Sequence, residues 1–385
     1  MAARGEMRIA IVNATWDPSV PTRESTLDRF STLTGWADAL AAAGATKVVS
    51  FQRFHRPGLI SREDVDYCFV EDRGPARPPV WYSGGRLCAA VTAFSPDVVH
   101  VNGLEYPLLT RRLRRASASR CAIVVQDHGG FDPERLSPLR KAWMRYGLRA
   151  ADGVLVATPP QGDVFRTSGL APGGLAVRDV MEGSTTWRAP GGRSPQRHGL
   201  AILFVGRLNA NKDPVTVLEG FAMFSRRRPD ATLTFVYHVA DLEQELRTAV
   251  ERDEWLRTRV TLLGEVPHER LPAVYGGADL FVLGSHWEGS GYAALEALAC
   301  GVVPVLTDIP SFRWLIADGR VGALWRAGDP ASLAAALDRM ASTCLEEQRA
   351  TGQAFFEAHC SWDAIGRRAM AIYRELSPPR PGSPA

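Results

Sequence analysis

Short apolar runs alternate with helical patterns twice along this chain, and one polar, glycine-rich stretch separates the two series. Buried strands that alternate with helices form a parallel sheet with helices on both faces. The runs are residues 8–12, 47–51, 98–101, 122–125 and 153–157 in the first series, and 200–205, 232–237, 260–263, 280–283 and 303–306 in the second. The pattern therefore predicts an α/β protein with two Rossmann-like domains.

The length of 385 residues also favours two domains, because single cores rarely grow that large. We place a first domain at 1–182, a linker at 183–199 and a second domain at 200–360. The linker is inferred from its Gly-, Ser- and Pro-rich content, GSTTWRAPGGRSPQRHG. A last helix is predicted over 361–377, and the Pro-rich tail, 378–385, has the composition of a disordered segment.

Composition is that of a globular protein, with 45% apolar and 23% charged residues and a formal net charge of +3. That charge alone neither favours nor excludes nucleic acid, and we expect no nucleic-acid partner. Two basic clusters stand out: Arg111, Arg112, Arg114 and Arg115, and then Arg140, Lys141, Arg145 and Arg149. We interpret both as solvated helix faces, with contact to an anionic membrane surface as the alternative.

Six cysteines occur without a CxxC pair and without a ligand-like spacing to histidine. They are typical of buried thiols in a reducing compartment. No apolar run approaches the ~20 residues that span a bilayer, and the N-terminus lacks the apolar core of a signal peptide. We therefore expect a cytoplasmic protein, with peripheral contact to the inner face of the membrane as the variant of that expectation.

The segment with most chemical information is DLFVLGSHWEGSGYAALEALACGVVPVLTD, residues 279–308. It predicts a strand, a glycine-rich turn, a helix and a second strand. Gly289 and Gly291 allow the backbone to turn tightly and approach a ligand. The helix that begins near Gly291 directs N–H groups and a positive dipole end at that ligand, which suits a diphosphate. The turn lies at the carboxyl edge of the sheet, where open α/β sheets bind ligands.

Two glutamates in this segment are candidates for contacts with hydroxyl groups. Glu296 shares a helix face with Tyr292, so its carboxylate suits a bidentate hydrogen bond to the vicinal diol of a ribose. Glu288 lies nearer the strand end and is placed to reach the hydroxyls of a sugar beyond the diphosphate. Taken alone, either glutamate is better explained as a helix-start acid or a surface residue.

A second motif, FVGRLNANKDP at residues 204–214, places two cations after the first strand of the second domain. Arg207 ends the strand, and Lys212 precedes a helix with Asp213 as its N-cap and Pro214 at its first position. Lysine is rare in this chain, at three of the 45 basic residues. Since a compact ammonium suits phosphate, we expect Arg207 and Lys212 to neutralise a diphosphate as it leaves, rather than to form an ordinary solvated loop.

An NAD-binding interpretation competes for the same glycines. Gly289-x-Gly291-x-x-Ala294, with Asp308 after the next strand, matches the dinucleotide-binding pattern. Such a fingerprint normally follows the first strand of its domain, whereas this turn comes four strands into the second one. Hydride transfer is therefore the weaker interpretation.

Together the motifs GRLNANKDP and GEVPHERLPAVYGGADLFVLGSHWEGSGYAALEALACGVVPV resemble those of the retaining glycosyltransferases of family 4 (glycosyl transferases group 1), which have the GT-B fold. The resemblance implies two Rossmann-like domains whose parallel sheets face each other across a cleft. It also implies retaining transfer of a hexosyl unit from a nucleoside diphosphate sugar to a hydroxyl acceptor. Neither a metal ion nor another cofactor is implied.

The resemblance also implies roles for particular residues. Arg207 and Lys212 would hold the donor diphosphate, Glu296 the ribose and Glu288 the donor sugar. The backbone around Val266 would pair with the edge of the nucleobase. The implied donor site comprises Arg207, Lys212, Val266, Glu288, Gly289, Ser290, Gly291, Tyr292 and Glu296.

The first half resembles the family at VVHVNG (98–103) and VVQDHGGF (124–131), which look like strands of its acceptor-side domain. His128 would then lie near the reacting sugar, although a lone histidine is more often structural. The candidate catalytic residues are thus His128, Glu288, Arg207 and Lys212. Two segments depart from the family: the first loop, TWDPSVPTREST, lacks paired glycines, and VMEGSTTW replaces a turn of the Asn-Gly-Val-Asp kind.

Three alternatives share the predicted fold or its nucleotide site. They are a nucleotide-sugar epimerase, a phosphorylase, and a nucleotide-sugar-binding protein without turnover. The residues leave open the identity of the donor base, the sugar and the acceptor. The acceptor could belong to any of three classes: polysaccharides, lipid-linked oligosaccharides or natural products.

Overall fold

The computed structural model describes residues 7–118, 120–130, 132–184 and 199–377. The chain divides into two units, Met1–Gly183 with Trp362–Ala385, and Ser184–Ser361. We refer to them as the first and the second unit. Most of the predicted linker and all of the predicted disordered tail lie outside the described residues.

The first unit is built on an eight-stranded sheet in the order β3-β4-β2-β1-β5-β6-β7-β8. Its strands are β1 (Arg8–Asn13), β2 (Lys47–Phe54), β3 (Gly58–Arg62), β4 (Val65–Glu71), β5 (Val98–Asn102), β6 (Ala122–Gln126), β7 (Gly153–Val156) and β8 (Ala176–Asp179). All neighbours are parallel except β3 and β4. The apolar runs predicted five of these strands, and β3, β4 and β8 were missed.

Helices cover this sheet because its central strands are apolar on both faces; Ile9 to Val12 of β1 are almost completely buried. The helices are α1 (Arg23–Arg29), α2 (Ser31–Ala42), α3 (Gly85–Phe94), α4 (Pro107–Ala116), α5 (Pro138–Leu148) and α6 (Pro159–Thr167), with a 3-10 turn at Pro133–Arg135. Capping boxes at Thr22 and Thr158 fix the starts of α1 and α6.

The second unit has a six-stranded, wholly parallel sheet in the order β11-β10-β9-β12-β13-β14. The strands are β9 (Ala201–Val205), β10 (Thr232–Val236), β11 (Val260–Gly264), β12 (Leu280–Leu283), β13 (Val303–Thr307) and β14 (Ala323–Trp325). The helices are α7 (Pro214–Ser225), α8 (Glu243–Arg252), α9 (Glu254–Arg257), α10 (Leu271–Gly276), α11 (Tyr292–Ala299), α12 (Pro310–Leu315), α13 (Pro330–Ala341) and α14 (Leu345–His359), with 3-10 turns at His268–Arg270 and Ala317–Gly319. This unit confirms the predicted parallel sheet.

Strand order reverses once in each sheet. In the second unit β9 lies between β10 and β12, and in the first unit β1 lies between β2 and β5. On one side of the central strand the connections run along the sheet in one direction, and on the other side they run in the opposite direction. The loops therefore diverge at this point and open a crevice at the carboxyl ends of the strands. The loops after β9 and β12 are therefore the first place to look for a ligand site.

The last helix, α15 (Trp362–Leu376), packs against α2 within the first unit. Glycines make this packing possible, because a Cβ at Gly35 or Gly183 would lie 2.3 Å from the Trp362 indole. A Cβ at Gly366 would lie 2.2 Å from the backbone oxygen of Ala39. The helix therefore approaches α2 closely enough for backbone contact.

A buried histidine also joins α15 to the sheet. His100 of β5 is 0% exposed. Its Nε2 lies 2.9 Å from the side-chain oxygen of Gln126, and its Nδ1 contacts the Tyr373 hydroxyl of α15. Burial lowers the pKa of His100 to about 3, so the ring is neutral. It can then donate to Gln126 and accept from Tyr373, which satisfies both nitrogens.

Part of the basic cluster serves the fold. Arg111 of α4 lies over the Tyr146 ring of α5, 4.0 Å from its centroid. Arg114 donates to the backbone oxygen of Ala150 at 3.0 Å, and Arg145 donates to that of Gly169 at 2.9 Å. Within the described ranges, none of the helices combines the length and the hydrophobicity that crossing a bilayer requires.

The first unit also contains a buried ion pair. Arg53 of β2 is 1% exposed, and its Nε lies 3.0 Å from Asp72 Oδ2. Partial burial works to raise the pKa of the Asp72 carboxyl, but hydrogen bonds from Arg53, the Gly74 amide and the Tyr82 hydroxyl outweigh it and lower that pKa to about 2. The pair thus holds the segment after β4 against β2.

We predict that Asp72→Asn lowers the free energy of unfolding by about 3 kcal/mol, because Arg53 is left buried without its counter-charge. Asp163→Asn, which removes the exposed pair with Arg166, should cost less than about 1 kcal/mol in the same urea titrations. Since folding lowers the pKa of Asp72, its contribution is complete above the unfolded value of 3.8 and disappears as pH falls towards 2. Equal losses in the two variants at neutral pH would contradict the assignment.

Candidate functional site

The loop after β9 carries both cations that the sequence singled out. Arg207 is exposed, and its guanidinium makes no ion pair or hydrogen bond with any described residue. The Lys212 amide donates to both oxygens of Asn209 at 3.1 Å. Asp213 caps α7 as predicted, with the left-handed φ of 44° and a hydrogen bond from the Thr216 amide at 3.3 Å. These hydrogen bonds fix the end of the loop that leads into α7.

Asn211 joins this loop to the loop after β12. Its Nδ2 donates to the Trp287 oxygen at 3.0 Å, its Oδ1 accepts from the Trp287 amide at 3.1 Å, and its own backbone oxygen accepts from His286 at 2.8 Å. Gly284 allows the two backbones to touch, because a Cβ there would lie 2.8 Å from the oxygens of Lys212 and Asp213. Two loops distant in sequence thus form one rigid surface.

At the centre of this surface the Lys212 ammonium contacts the Glu288 carboxylate. Both side chains are largely buried, at 16% and 13% exposure. A buried carboxylate is costly unless a cation or hydrogen-bond donors compensate it. The two predicted motifs therefore meet in a direct ion pair, next to the crevice at the switch point.

The start of α11 follows this pair directly. Gly291 is its N-cap with φ of 70°, and a Cβ there would lie 2.6 Å from the Phe312 ring. Glycine is thus required both by the left-handed backbone and by close packing. Ser290 is buried, and the turn from Gly289 to Tyr292 presents the first backbone amides of the helix.

Glu296 lies further along α11 and is held by two partners. The Tyr275 hydroxyl donates to Oε2 at 2.9 Å, and His268 Nε2 lies 3.3 Å from Oε1. Burial, then the charge of Glu296, raises the pKa of Tyr275 well above its usual value, so the phenol stays a donor. Val266 follows β11 and lies two residues before His268, which places it in the same part of the unit.

His128 lies in the first unit, after β6. Its Nδ1 pairs with Glu182, which follows β8 and is 6% exposed at its side chain. Burial disfavours the imidazolium, but the charges of Glu182, Asp127 and Glu105 outweigh it and raise the pKa of His128. Burial raises the pKa of the neighbouring Asp127 to about 6, although the Gly129 amide donates to its carboxylate at 2.9 Å.

The second unit therefore contains every predicted site residue except His128. Lys212 and Glu288 are in contact, and Glu296 follows on the same helix as the Gly291 cap. Sequence reasoning assigned no role to Asn211, His268, Tyr275 or Glu182. The position of Asn211 beside Lys212 in the same motif was a signal from which its role could have been suspected. The other three residues act through partners distant in sequence, so the sequence carried no such signal for them.

Asp308, the acid of the NAD-binding interpretation, is occupied by another partner. Its carboxylate accepts from Arg313, with Nη2 to Oδ2 at 3.1 Å. The glycine turn also follows β12, the fourth strand of its unit, rather than the first. Neither Asp308 nor the glycine turn is therefore arranged as the dinucleotide-binding pattern requires.

Comparison with known proteins identifies the family of the chain. The sequence matches the family model "Glycosyltransferase Family 4" over residues 32–177 and "Glycosyl transferases group 1" over residues 194–354. It is similar to the GDP-mannose:cellobiosyl-diphosphopolyprenol alpha-mannosyltransferase of Xanthomonas campestris, at 28% identity over 324 residues that make up 80% of each chain. The likeness thus extends over both units.

Solved structures share the fold at low sequence identity. Sucrose-phosphate synthase from Thermosynechococcus elongatus superposes with a TM-score of 0.74, at 20% identity, over 96% of this chain and 99% of its own. Anabaena HepE, solved in complex with UDP and glucose, has a TM-score of 0.68 and 16% identity over 96% of this chain and 100% of its own. Both likenesses concern the architecture.

We predict that Gly284→Ala lowers the free energy of unfolding by about 1–3 kcal/mol, because the added methyl group meets two backbone oxygens that cannot rotate away. Gly206→Ala is the matched control in the loop after β9, since its Cβ would find its nearest neighbour at 3.5 Å, an ordinary contact. Urea titrations of both variants measure the difference. If both changed stability equally, close approach of the two loops would not be the reason for Gly284.

Proposed function

Since this chain belongs to the glycosyl transferases of group 1 and has their GT-B fold, we propose that it transfers a hexosyl unit from a nucleoside diphosphate sugar to a hydroxyl acceptor with retention of anomeric configuration. The observation that carries the proposal is the Lys212–Glu288 pair beside the start of α11. It supplies a cation for phosphate, a carboxylate for sugar hydroxyls and backbone amides for an anion in one place.

The donor diphosphate is proposed to bind between Arg207, Lys212 and the first amides of α11. Arg207 offers a guanidinium without a protein partner among the described residues, and such a fork matches phosphate oxygens. The helix start adds backbone N–H groups and the positive end of its dipole. These groups together balance the charge of a diphosphate.

Lys212 has a second proposed role during transfer. In the free protein its ammonium is paired with Glu288, and a bound diphosphate would share that ammonium. The Glu288 carboxylate is then available to accept hydrogen bonds from the donor sugar. As the glycosidic bond breaks, negative charge grows on the leaving diphosphate, and a cation already fixed in place stabilises it most.

Glu296 is proposed to bind the ribose of the donor. The Tyr275 hydroxyl fixes one carboxylate oxygen, so the group is oriented before the nucleotide arrives. The other oxygen, Oε1, lies 3.3 Å from Nε2 of the exposed His268, a longer contact that a ribose hydroxyl can replace. The backbone near Val266 would then lie at the base.

The relatives order the search for substrates. The Xanthomonas protein is named for a GDP-mannose donor and a diphosphopolyprenol-linked acceptor, and HepE was solved with UDP. GDP- and UDP-sugars therefore head the donor panel, followed by ADP- and TDP-sugars. Polyprenol-linked oligosaccharides head the acceptor panel.

Ligand-dependent stability and product analysis test the proposal. A donor at 100 times its dissociation constant should raise the free energy of unfolding by ~2.7 kcal/mol. Incubation with that donor and each acceptor should then give a product whose anomeric configuration, read by NMR, equals that of the donor. Inversion, epimerisation of the donor without acceptor, or use of free phosphate as acceptor would each contradict the proposed reaction.

We predict that Lys212→Ala reduces kcat on the order of 100-fold while changing the KM for donor less, because the lost charge acts mainly on the leaving group. Lys47→Ala is the matched control: it also removes a lysine from an ion pair, 2.9 Å from Asp66, but lies outside the proposed site. Near wild-type turnover of Lys212→Ala at saturating donor would remove Lys212 from the mechanism.

We also predict that transfer continues at its original rate after treatment with EDTA, since Arg207, Lys212 and the α11 start are proposed to supply the charge that a metal would otherwise provide. Rates are measured before chelation, after chelation, and after removal of the chelator without added metal. Loss of activity that magnesium or manganese restores would overturn the metal-independent mechanism.

A further inference from the structure

Glu182 is a nearly buried carboxylate, 5% exposed, to which the sequence motifs assign no role. Its described charged partner is His128, whose imidazole is 46% exposed. A carboxylate removed from water is destabilised unless a cation or hydrogen-bond donors compensate it. The contact with His128 Nδ1 is one that can help to compensate for the burial of Glu182.

The backbone fixes both members of this pair. β7 lies between β6 and β8, and it anchors the residues that follow each of them. The Asp127 amide donates to Leu155 of β7 at 2.8 Å, and the Val180 amide donates to Val156 at 2.8 Å. Two adjacent hydrogen bonds on one strand thus set the separation of His128 and Glu182.

Packing also limits the movement of Glu182. The next residue, Gly183, lies so close to the Trp362 indole that a Cβ would be 2.3 Å from it. Val180 and Met181 before it are buried as well. The carboxylate is therefore presented to His128 from a rigid segment.

The ionisable groups around the ring come from three strand ends. Glu182 follows β8, Asp127 follows β6, and Glu105 follows β5, and all three favour the imidazolium. A protonated His100, on β5, would repel the imidazolium of His128, but burial lowers the pKa of His100 to about 3 and keeps its ring neutral. The net field at His128 is thus negative.

The two nitrogens of His128 are not equivalent. Nδ1 is engaged by Glu182, whereas no described residue forms a hydrogen bond with Nε2. The side chain is 46% exposed, which leaves room for a ligand at the ring. In a neutral histidine, the hydrogen-bond partner of one ring nitrogen determines whether that nitrogen or the other carries the proton.

We propose that Glu182 is a positioning residue for His128: it accepts a hydrogen bond from Nδ1–H, fixes the ring and presents the Nε2 edge as a hydrogen-bond donor to a ligand oxygen. The step rests on the proposed function only in identifying that oxygen as one on the reacting sugars. In the protonated ring Nε2–H donates to the oxygen, and Glu182 neutralises the imidazolium.

Histidine NMR of the ligand-free protein tests the pair without any activity. The signals are identified by their loss in His128→Asn. We expect Nδ1 to keep its proton in the neutral ring, and Glu182→Gln to move the titration midpoint of His128 to lower pH. Glu375→Gln is the matched control, since it removes a carboxylate from the exposed pair with Arg178 in the same unit, and it should leave that midpoint unchanged.

Kinetics then distinguish positioning from a merely structural role. We expect the loss of kcat caused by Glu182→Gln to be about tenfold larger at pH 8 than at pH 6, with an unchanged KM for donor. The reason is that His128 of the variant loses its proton at a lower pH than His128 of the wild type. A wild-type ring protonated at Nε2 instead of Nδ1, or an unshifted midpoint in Glu182→Gln, would overturn the inference. So would identical pH profiles for wild type and Glu182→Gln.

The two arms also separate this inference from the proposed function. If the NMR results are as expected but no acceptor is glycosylated, the reaction is wrong and the pair stands. If transfer occurs but the titration midpoint does not respond to Glu182→Gln, the reaction stands and the positioning role is wrong.

Discussion

The junction between the loops after β9 and β12 is the constraint on which the second unit's site depends. β9 and β12 are neighbours in the sheet at the point where the strand order reverses, so the loops that follow them begin side by side. Asn211 bridges the backbones, and Gly284 removes the one side chain that would keep them apart. Only in that arrangement do Lys212 and Glu288 meet.

Much of the architecture was predictable because its strands are continuous apolar runs in a fully covered sheet. The exceptions share a physical cause. In β4 the buried Val65, Tyr67 and Phe69 alternate with partly exposed residues, so no continuous run appears, and its partner β3 is largely exposed at the edge. In β8 only Val177 is buried and two of the four residues are charged, whereas β14 has only three residues, so neither gives a recognisable apolar run.

The same division applies to the candidate site. Local features were readable from the sequence: Asp213 caps α7, and Gly291 caps α11, because capping depends on neighbours within one turn. Partners were not readable, since nothing in a single sequence pairs Tyr275 with Glu296 or, across 54 residues, His128 with Glu182. Such pairs follow from the order of strands, which places distant loops side by side.

Each unit places a largely buried carboxylate against a basic side chain at the carboxyl ends of its strands: Glu288 against Lys212 in the second unit and Glu182 against His128 in the first. The imidazolium of His128 depends on nearby carboxylates, one of which, Asp127, itself titrates at about 6. Raising the pKa of a histidine stabilises the folded protein below the unfolded pKa, and that contribution is lost as pH rises through the folded one. Because the pKa values of His128 and Asp127 are both raised, the carboxyl edge of the first unit's sheet responds to pH through these two groups.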